Sequence, residues 1–274
     1  MTTKATDSVK PAFSFSRLQK FDQCPAAYEL RYLKRIQPAG ISIESYLGNT
    51  VHSTLQWLYE TVLAGNLVSF DGMLQHYRDE WVQRWSKSTH INNPGWKTDD
   101  YFQLGVRMLA GYYRRFSPFD EPVYRTEFDF TFPLPTDNDI LMRVILDRID
   151  RNGEGHWSIH DYKTGKSKLT SVKAARDLQM RIYYLAIKQT FDAAERIDVV
   201  WHFLRHGEEQ RLDDQQWSTN RLISSLTKKI SNIKHAEDAG ERFEPREGVL
   251  CNWCFYWEHC PAKEGQVHPA KVAH

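Results

Sequence analysis

No apolar run in this sequence approaches the roughly 20 residues that a spanning helix requires, so no transmembrane helix is expected. Met1–Lys10 is short and polar and lacks a signal-type apolar stretch, so a cytoplasmic, reducing compartment is expected. Cysteine is scarce, with four among 274 residues, and a disulfide framework is not expected in such a compartment. Charge of one sign is also missing: 36 Lys+Arg stand against 35 Asp+Glu. That balance excludes a uniformly basic nucleic-acid coat and an acidic disordered tail, though not local basic patches. The chain has no internal repeat, no low-complexity segment and no Gly-x-x-x-x-Gly-Lys-Ser/Thr loop, so it is not itself an ATP motor.

A chain of this length can bury a full core, and hydrophobic periodicity sketches one. Helices are expected from Ser14 or Ser16 through Phe21, then over Pro25–Ile36, Leu47–Ala64, Phe70–Trp85 and Asp99–Phe116. His90–Trp96 reads as a loop. The period then changes. Val123–Leu134 alternates Tyr124, Thr126, Phe128, Phe130 and Phe132 with Arg125, Glu127, Asp129 and Thr131, which is a strand pattern. Further strands are expected at Ile140–Arg151, His156–Lys163 and Ile197–Arg205, and helices at Ser171–Phe191 and Asp213–Glu237. That order describes a mixed α/β core with an N-terminal helical elaboration.

Chemistry concentrates at the end of one strand. Asp161 and Lys163 are two apart and project side by side. Asp147 lies across the hairpin. Two carboxylates converging at strand ends can hold a divalent cation, and a nearby lysine can orient water or stabilise charge on a phosphate. Alone, Asp-x-Lys equally describes a surface ladder. Register separates the two readings. A four-residue loop over Asn152–Gly155 sets Asp147 opposite His160 and sends Asp161 to the other face. A shared cation therefore requires an odd loop or a β-bulge between Asp147 and Asp161. Gln179 and Tyr183 share a face of the following helix. His52, on the third helix, reads either as a structural histidine or as a further ligand suited to Mn²⁺ or Mg²⁺.

Three cysteines, Cys251-x2-Cys254-x5-Cys260, fall within ten residues, and Cys24 lies far upstream. Four thiolates suit zinc or a [4Fe–4S] cluster. Cys24 has no neighbouring partner, unlike the paired knuckles usual for zinc. Trp253, Phe255, Tyr256 and Trp257 interleave the trio, either as tail packing or as a shield around such a cluster.

Together these features resemble the RecB-like branch of the PD-(D/E)xK nuclease superfamily. The resemblance is carried in order by Phe15-Ser16-Arg17-Leu18 through Cys24-Pro25 and Tyr28, by Gly48-x-x-x-His52, by Ile145–Asp150, by Asp161-Tyr162-Lys163-Thr164-Gly165, and by Gln179-x-x-x-Tyr183. One departure is Val144, where glycine is expected, and a valine there is expected to narrow the approach of DNA. The resemblance implies a restriction-endonuclease-like mixed sheet flanked by helices, with a C-terminal iron–sulfur segment. It implies that Asp147, Asp161, His52 and the Tyr162 carbonyl hold Mg²⁺ or Mn²⁺. Lys163 would help activate water, and Gln179 and Tyr183 would organise substrate or Lys163. Glu127 is left outside this set as a weaker candidate. The cysteine spacing resembles the subset that includes the AddB nuclease domain, the CRISPR-associated iron–sulfur nucleases and the exonuclease V group. That implies a structural [4Fe–4S] cluster on Cys24, Cys251, Cys254 and Cys260, tying the chain ends together.

The expected organisation is a disordered 1–12, a helical region 13–120, a nuclease core 121–240, a cysteine-rich segment 241–263 and a tail 264–274. Two segments are locally basic despite the balanced total: Asp161–Lys188 has seven Lys/Arg against two Asp, and Met1–Gly40 has seven against three acidic residues. Such patches can track a phosphate backbone. Arg17, Arg148 and Lys166 are the candidate DNA contacts. Trp57, Trp81 and Trp85 have the spacing of core residues rather than of a base-stacking platform. The function expected is a metal-dependent DNA exonuclease on single strands, in repair, recombination or phage DNA processing, with a helicase or CRISPR-integrase partner. The alternatives are trimming of DNA for CRISPR adaptation and a non-catalytic DNA-binding scaffold.

Overall fold

The computed structural model describes residues 12–213, 216–266, 268 and 271–272. The expectation of disorder at 1–12 therefore lies outside the described residues apart from Ala12. Phe13 forms a single parallel bridge to Met142, which fixes the start of the chain against the sheet. Helix α1 (Phe15–Gln23) begins at Ser14, whose hydroxyl accepts from the Arg17 N–H. Helix α2 (Pro25–Tyr28) carries its proline in the first turn and runs on as one π-helical turn, Glu29–Leu33. After β1 (Ile41–Ser42) come α3 (Ile43–Leu63), α4 (Phe70–Gln83), β2 (Thr89–Ile91) and α5 (Thr98–Phe116). The expected loop at His90–Trp96 thus begins in a strand.

The main sheet contains β3 (Val123–Leu134), β4 (Asp137–Gly153), β5 (His156–Lys163), β6 (Arg196–Phe203) and β7 (Glu208–Leu212), side by side in that order. Strands β5 and β6 are parallel, and the other neighbours are antiparallel. The crossover from β5 to β6 holds α6 (Ser171–Ala174) and α7 (Leu178–Thr190) rather than one helix over Ser171–Phe191. The break has a local cause: the Asp177 carboxylate accepts from the Met180 N–H at 2.9 Å and starts α7 afresh. Helix α8 (Thr219–Asp238) follows, and β8 (Lys271–Val272) pairs with β2 in a small second sheet.

Two cores flank the main sheet. The larger packs α1, α7 and α8 against it through residues such as Leu18, Met142, Leu146, Ile159, Ile182, Leu185 and Ile230. The other joins α3, α4 and α5 through Leu47, Leu55, Tyr77 and Met108, and reaches Tyr162 and Leu204. Trp81 is buried there, as its helical spacing predicts. Val144 is buried in the larger core and also borders a cleft lined by Arg143, Gln179 and Tyr183.

The register of β4 on β5 decides whether the carboxylates meet. Arg151 pairs with Trp157, whereas Gly153 pairs with His156, so one residue bulges at Asn152. The bulge required above is present. The ladder then runs to Arg148 opposite His160, and just beyond it the Asp147 carboxylate accepts from the Tyr162 N–H, next to Asp161. A second irregularity lies beside it. Leu146 and Ile149 both enter the larger core, so strict alternation breaks at Asp147–Arg148. Across this break on β3, Glu127 adopts a left-handed φ of 42°. A non-glycine residue held there stores strain, which tends to gather at functional positions.

Candidate active site

Three structural elements converge at this break. Strand β4 supplies Asp147, β5 supplies Asp161 and Lys163, and α3 brings His52. Helix α3 comes close because Gly48 has no side chain: a Cβ there would sit 3.1 Å from the Thr164 hydroxyl. The Asp147 carboxylate accepts from the Tyr162 N–H at 2.7 Å and lies 3.4 Å from His52 Nδ1. His52 Nε2 donates to the Tyr162 carbonyl at 2.9 Å. The main chain of Tyr162 therefore braces both partners, while its side chain turns away to Tyr112, with the two hydroxyls 3.2 Å apart.

Lys163 Nζ lies 2.7 Å from Asp161 Oδ2 and donates to Gln179 Oε1 at 2.9 Å. Gln179 in turn donates to the Tyr183 hydroxyl at 2.9 Å. Gln179 thus holds the lysine and Tyr183 holds Gln179, one turn apart on α7.

Electrostatics sort these groups. Burial disfavours the charged form of His52, but Asp147 beside it, with Asp161 and Glu127, raises its pKa to about 9. Asp147 is held below the usual carboxylate range because the His52 charge and the Tyr162 N–H outweigh its burial. Asp161 moves the other way: burial and the Asp147 charge push it up against the pull of Lys163. Lys163 is desolvated, yet Asp161 raises its pKa, so it stands as an ammonium. Two neighbouring carboxylates pushed in opposite directions mark crowded negative charge, which a cation relieves.

Glu127 belongs in this cluster, contrary to the sequence reading. Ligand atoms of His52, Glu127 and Asp147 lie within 4.8 Å of one another, the one such group among the described residues that could hold a metal ion. Burial and the Asp147 charge push the Glu127 carboxyl up. The sequence signal existed: Glu127 sits between Thr126 and Phe128, which pair with Arg148 and Leu146. Only the register reveals that it faces Asp147. Oxygen donors with one imidazole suit Mg²⁺ or Mn²⁺.

Of the three candidate DNA contacts, Arg148 is the clear correction. Its side chain is 1% exposed and donates to the hydroxyls of Tyr59 and Tyr112 and to Asp150 Oδ2. Asp150 also lies 3.0 Å from His160 Nε2, and His160 Nδ1 is 2.8 Å from His202 Nε2. This buried polar layer backs the strand that carries Asp161 and is unavailable to DNA. Arg17 is also buried, and its guanidinium is engaged by Tyr28 at 2.8 Å and by Glu237 at 3.3 Å. Lys166 is exposed. Arg17 nevertheless borders, with Arg31 and Arg35 of the basic N-terminal segment and with Arg143, Gln179 and Tyr183, a cleft of about 480 Å³.

All four cysteines, Cys24, Cys251, Cys254 and Cys260, line one cavity of about 220 Å³, walled by Ala27, Leu30, Tyr256 and Trp257. The segment around Cys24 and the segment from Cys251 to Cys260 therefore meet. The thiols are free and partly buried. Burial raises the Cys254 pKa, and the Arg246 N–H donates to Cys24 Sγ at 3.3 Å. Among the described residues, no three cysteine sulfurs lie within 4.8 Å of one another.

A five-stranded mixed sheet carrying paired carboxylates and a lysine at a strand end defines a nuclease-type centre. The chain belongs to the PD-(D/E)XK nuclease superfamily, whose family model matches residues 12–261. It is 25% identical over 197 residues to an ATP-dependent helicase/deoxyribonuclease subunit of Clostridium perfringens strain SM101, covering 63% of this chain and 17% of that protein. It is 28% identical over 216 residues to the protein of the same name from Clostridium botulinum strain Loch Maree, covering 68% and 18%. The chain thus spans about a fifth of the length of these curated relatives. A crystal structure of a candidate exonuclease from Eubacterium rectale shares the fold, with a TM-score of 0.52 and 15% identity over 97% of this chain and 94% of that one. No helix of the described residues is long and apolar enough to cross a membrane.

Proposed function

We propose that this chain hydrolyses phosphodiester bonds of DNA, acting as an exonuclease on single strands. The observation that carries the reading is the Asp147 carboxylate held on the Tyr162 N–H at 2.7 Å, between Asp161 and a Lys163 that lies 2.7 Å from Asp161. His52, Glu127 and Asp147 would hold Mg²⁺ or Mn²⁺, with Asp161 and the Tyr162 carbonyl beside them. When bound, the cation neutralises phosphate charge and makes water a better nucleophile. The Lys163 ammonium orients the attacking water and stabilises charge on the phosphate, since its raised pKa disfavours a role as base. Gln179 fixes the lysine and Tyr183 fixes Gln179. Water attacks phosphorus, and the sugar oxygen leaves as a hydroxyl.

The cysteine cavity is read as the seat of a structural [4Fe–4S] cluster. A tetrahedral zinc with Zn–S bonds of about 2.3 Å holds its sulfurs about 3.8 Å apart. Four free thiols lining a cavity of about 220 Å³ support the larger group. The relatives are named as helicase subunits, which supports a helicase partner for this chain.

The test uses the full chain purified without oxygen. An end-labelled single strand incubated with Mn²⁺ should shorten progressively, and the protein should be brown with about four irons. An uncut strand defeats the catalytic reading. A colourless protein with one zinc defeats the cluster.

A further inference from the structure

A second cavity, of about 250 Å³, opens on the other side of the catalytic strand end. Its floor is Thr164-Gly165-Lys166, the turn that directly follows Lys163. The Leu204 N–H donates to the Lys163 carbonyl at 3.0 Å, which places Arg205 at the same edge. Strands β5 and β6 are parallel, so Lys166 and Arg205 both emerge beyond their carboxyl ends, where α/β sheets bind ligands.

Two tryptophans complete the walls. Trp96 packs edge-on against Tyr101, with ring centroids 4.9 Å apart, and the Arg205 guanidinium lies 5.6 Å from its ring. Trp253 is 48% exposed, unusual for so large an apolar side chain. It also borders the cysteine cavity, so the segment between Cys251 and Cys254 forms a wall of both. Glu44 lines the cavity too. Its Oε1 accepts from the Tyr101 hydroxyl at 2.7 Å, whereas its Oε2 is buried without a hydrogen-bond partner.

We propose that this cavity is a nucleobase site, taking one unpaired base of the strand next to the phosphate being cut. The proposal rests on the reading of the chain as a single-strand nuclease. A phosphate does not suit the interior, because the Glu44 carboxylate repels it. A base does: its aromatic faces stack on Trp253 or Trp96, both of which line the cavity. Lys166 and Arg205 at the rim match the backbone on either side of that base. A duplex base, stacked and paired, cannot enter. The cavity therefore supplies a physical basis for single-strand preference. It also gives the cysteine-bound segment a task beyond closing the chain, since it holds Trp253 in place.

The test is the affinity of the full chain for a fluorescent single-stranded oligonucleotide in EDTA, with Trp253→Ala, Trp253→Phe and Trp96→Ala beside the wild type. Trp253→Ala should weaken binding about tenfold or more, while Trp253→Phe should stay within about threefold of wild type. With Mn²⁺, the same loss should appear in KM and leave kcat within about twofold. Iron content reports whether Trp253→Ala disturbs the cysteine cavity. If it does, Trp96→Ala, outside that segment, decides, and it should raise KM about fivefold or more. Unchanged affinity and KM in both alanine variants would overturn the nucleobase site while leaving the nuclease reading intact. A wild type that neither binds nor cuts the oligonucleotide would instead overturn that reading, and the site with it.

Discussion

The carboxylate site and the cysteine cavity are built in opposite ways. The first is set by the sheet. Its residues sit on β4, β5 and α3 between two large apolar cores, and the buried layer of Arg148, Asp150, His160 and His202 backs it. The second has almost no core of its own: Ala27, Leu30 and Tyr256 are its buried cluster. Val249, Leu250 and Trp253 around its cysteines are exposed. Burial at about 25 cal/mol per Å² stabilises the first region before any ligand arrives. On the proposed reading, the second would draw its folding free energy from a bound metal group. One region is therefore preorganised for chemistry, and the other is proposed to be ordered by what it binds.

The sharpest way to break this contrast is to attack the sheet from behind. Arg148→Ala leaves Asp150 buried without its guanidinium partner and should cost about 3–5 kcal/mol of stability. Chemical denaturation should show the loss across the whole chain. A variant as stable as wild type would mean that the buried layer does not hold the site.

Acid should act on the same layer. Burial and the Arg148 charge lower the His160 pKa from 6.5 to about 4. The unfolded imidazole thus binds a proton more readily than the folded one. Stability is complete above pH 6.5 and falls as the pH drops toward 4, by about 3 kcal/mol in all. His160→Gln should flatten that part of the stability–pH curve.

The cysteine region should respond locally. Cys24→Ser should lose iron and open residues beyond Gly240 to protease. It should keep the far-ultraviolet circular dichroism of the sheet and its midpoint in denaturant within about 1 kcal/mol, as local opening predicts. Global unfolding would erase the proposed division between the two regions. The smallest effect is expected at Glu127→Gln, which should weaken Mn²⁺ binding about tenfold, measured by calorimetry.

Much of this was legible in the sequence because the signals were local. The alternation at Val123–Leu134 and His156–Lys163 marks β3 and β5 to the residue, and Ser14 marks the start of α1. An odd loop or a bulge between Asp147 and Asp161 followed from asking two carboxylates to share one cation, and the bulge lies at Asn152. What escaped depends on register and burial. Strand β7, Glu-Glu-Gln-Arg-Leu, is polar enough to read as loop, and it exists because β6 offers it a partner. Glu127 looked like a solvated face until β4 was laid beside it. Arg148 looked basic and available, yet the break in alternation beside Asp147 turns it inward onto Tyr59, Tyr112 and Asp150. The cysteines show where their sequence signal ends. Their spacing said that the two cysteine segments meet, and the cavity shows it, but Trp253 facing a second cavity is a fact of folding alone.

The most direct test of the catalytic assignment is the rate of Lys163→Ala on a single-stranded oligonucleotide at saturating Mn²⁺, with Mn²⁺ affinity measured on the same protein. The variant should bind Mn²⁺ as the wild type does and cut about a thousandfold more slowly. Cleavage at the wild-type rate would show that the lysine between Asp161 and Gln179 does not serve the reaction.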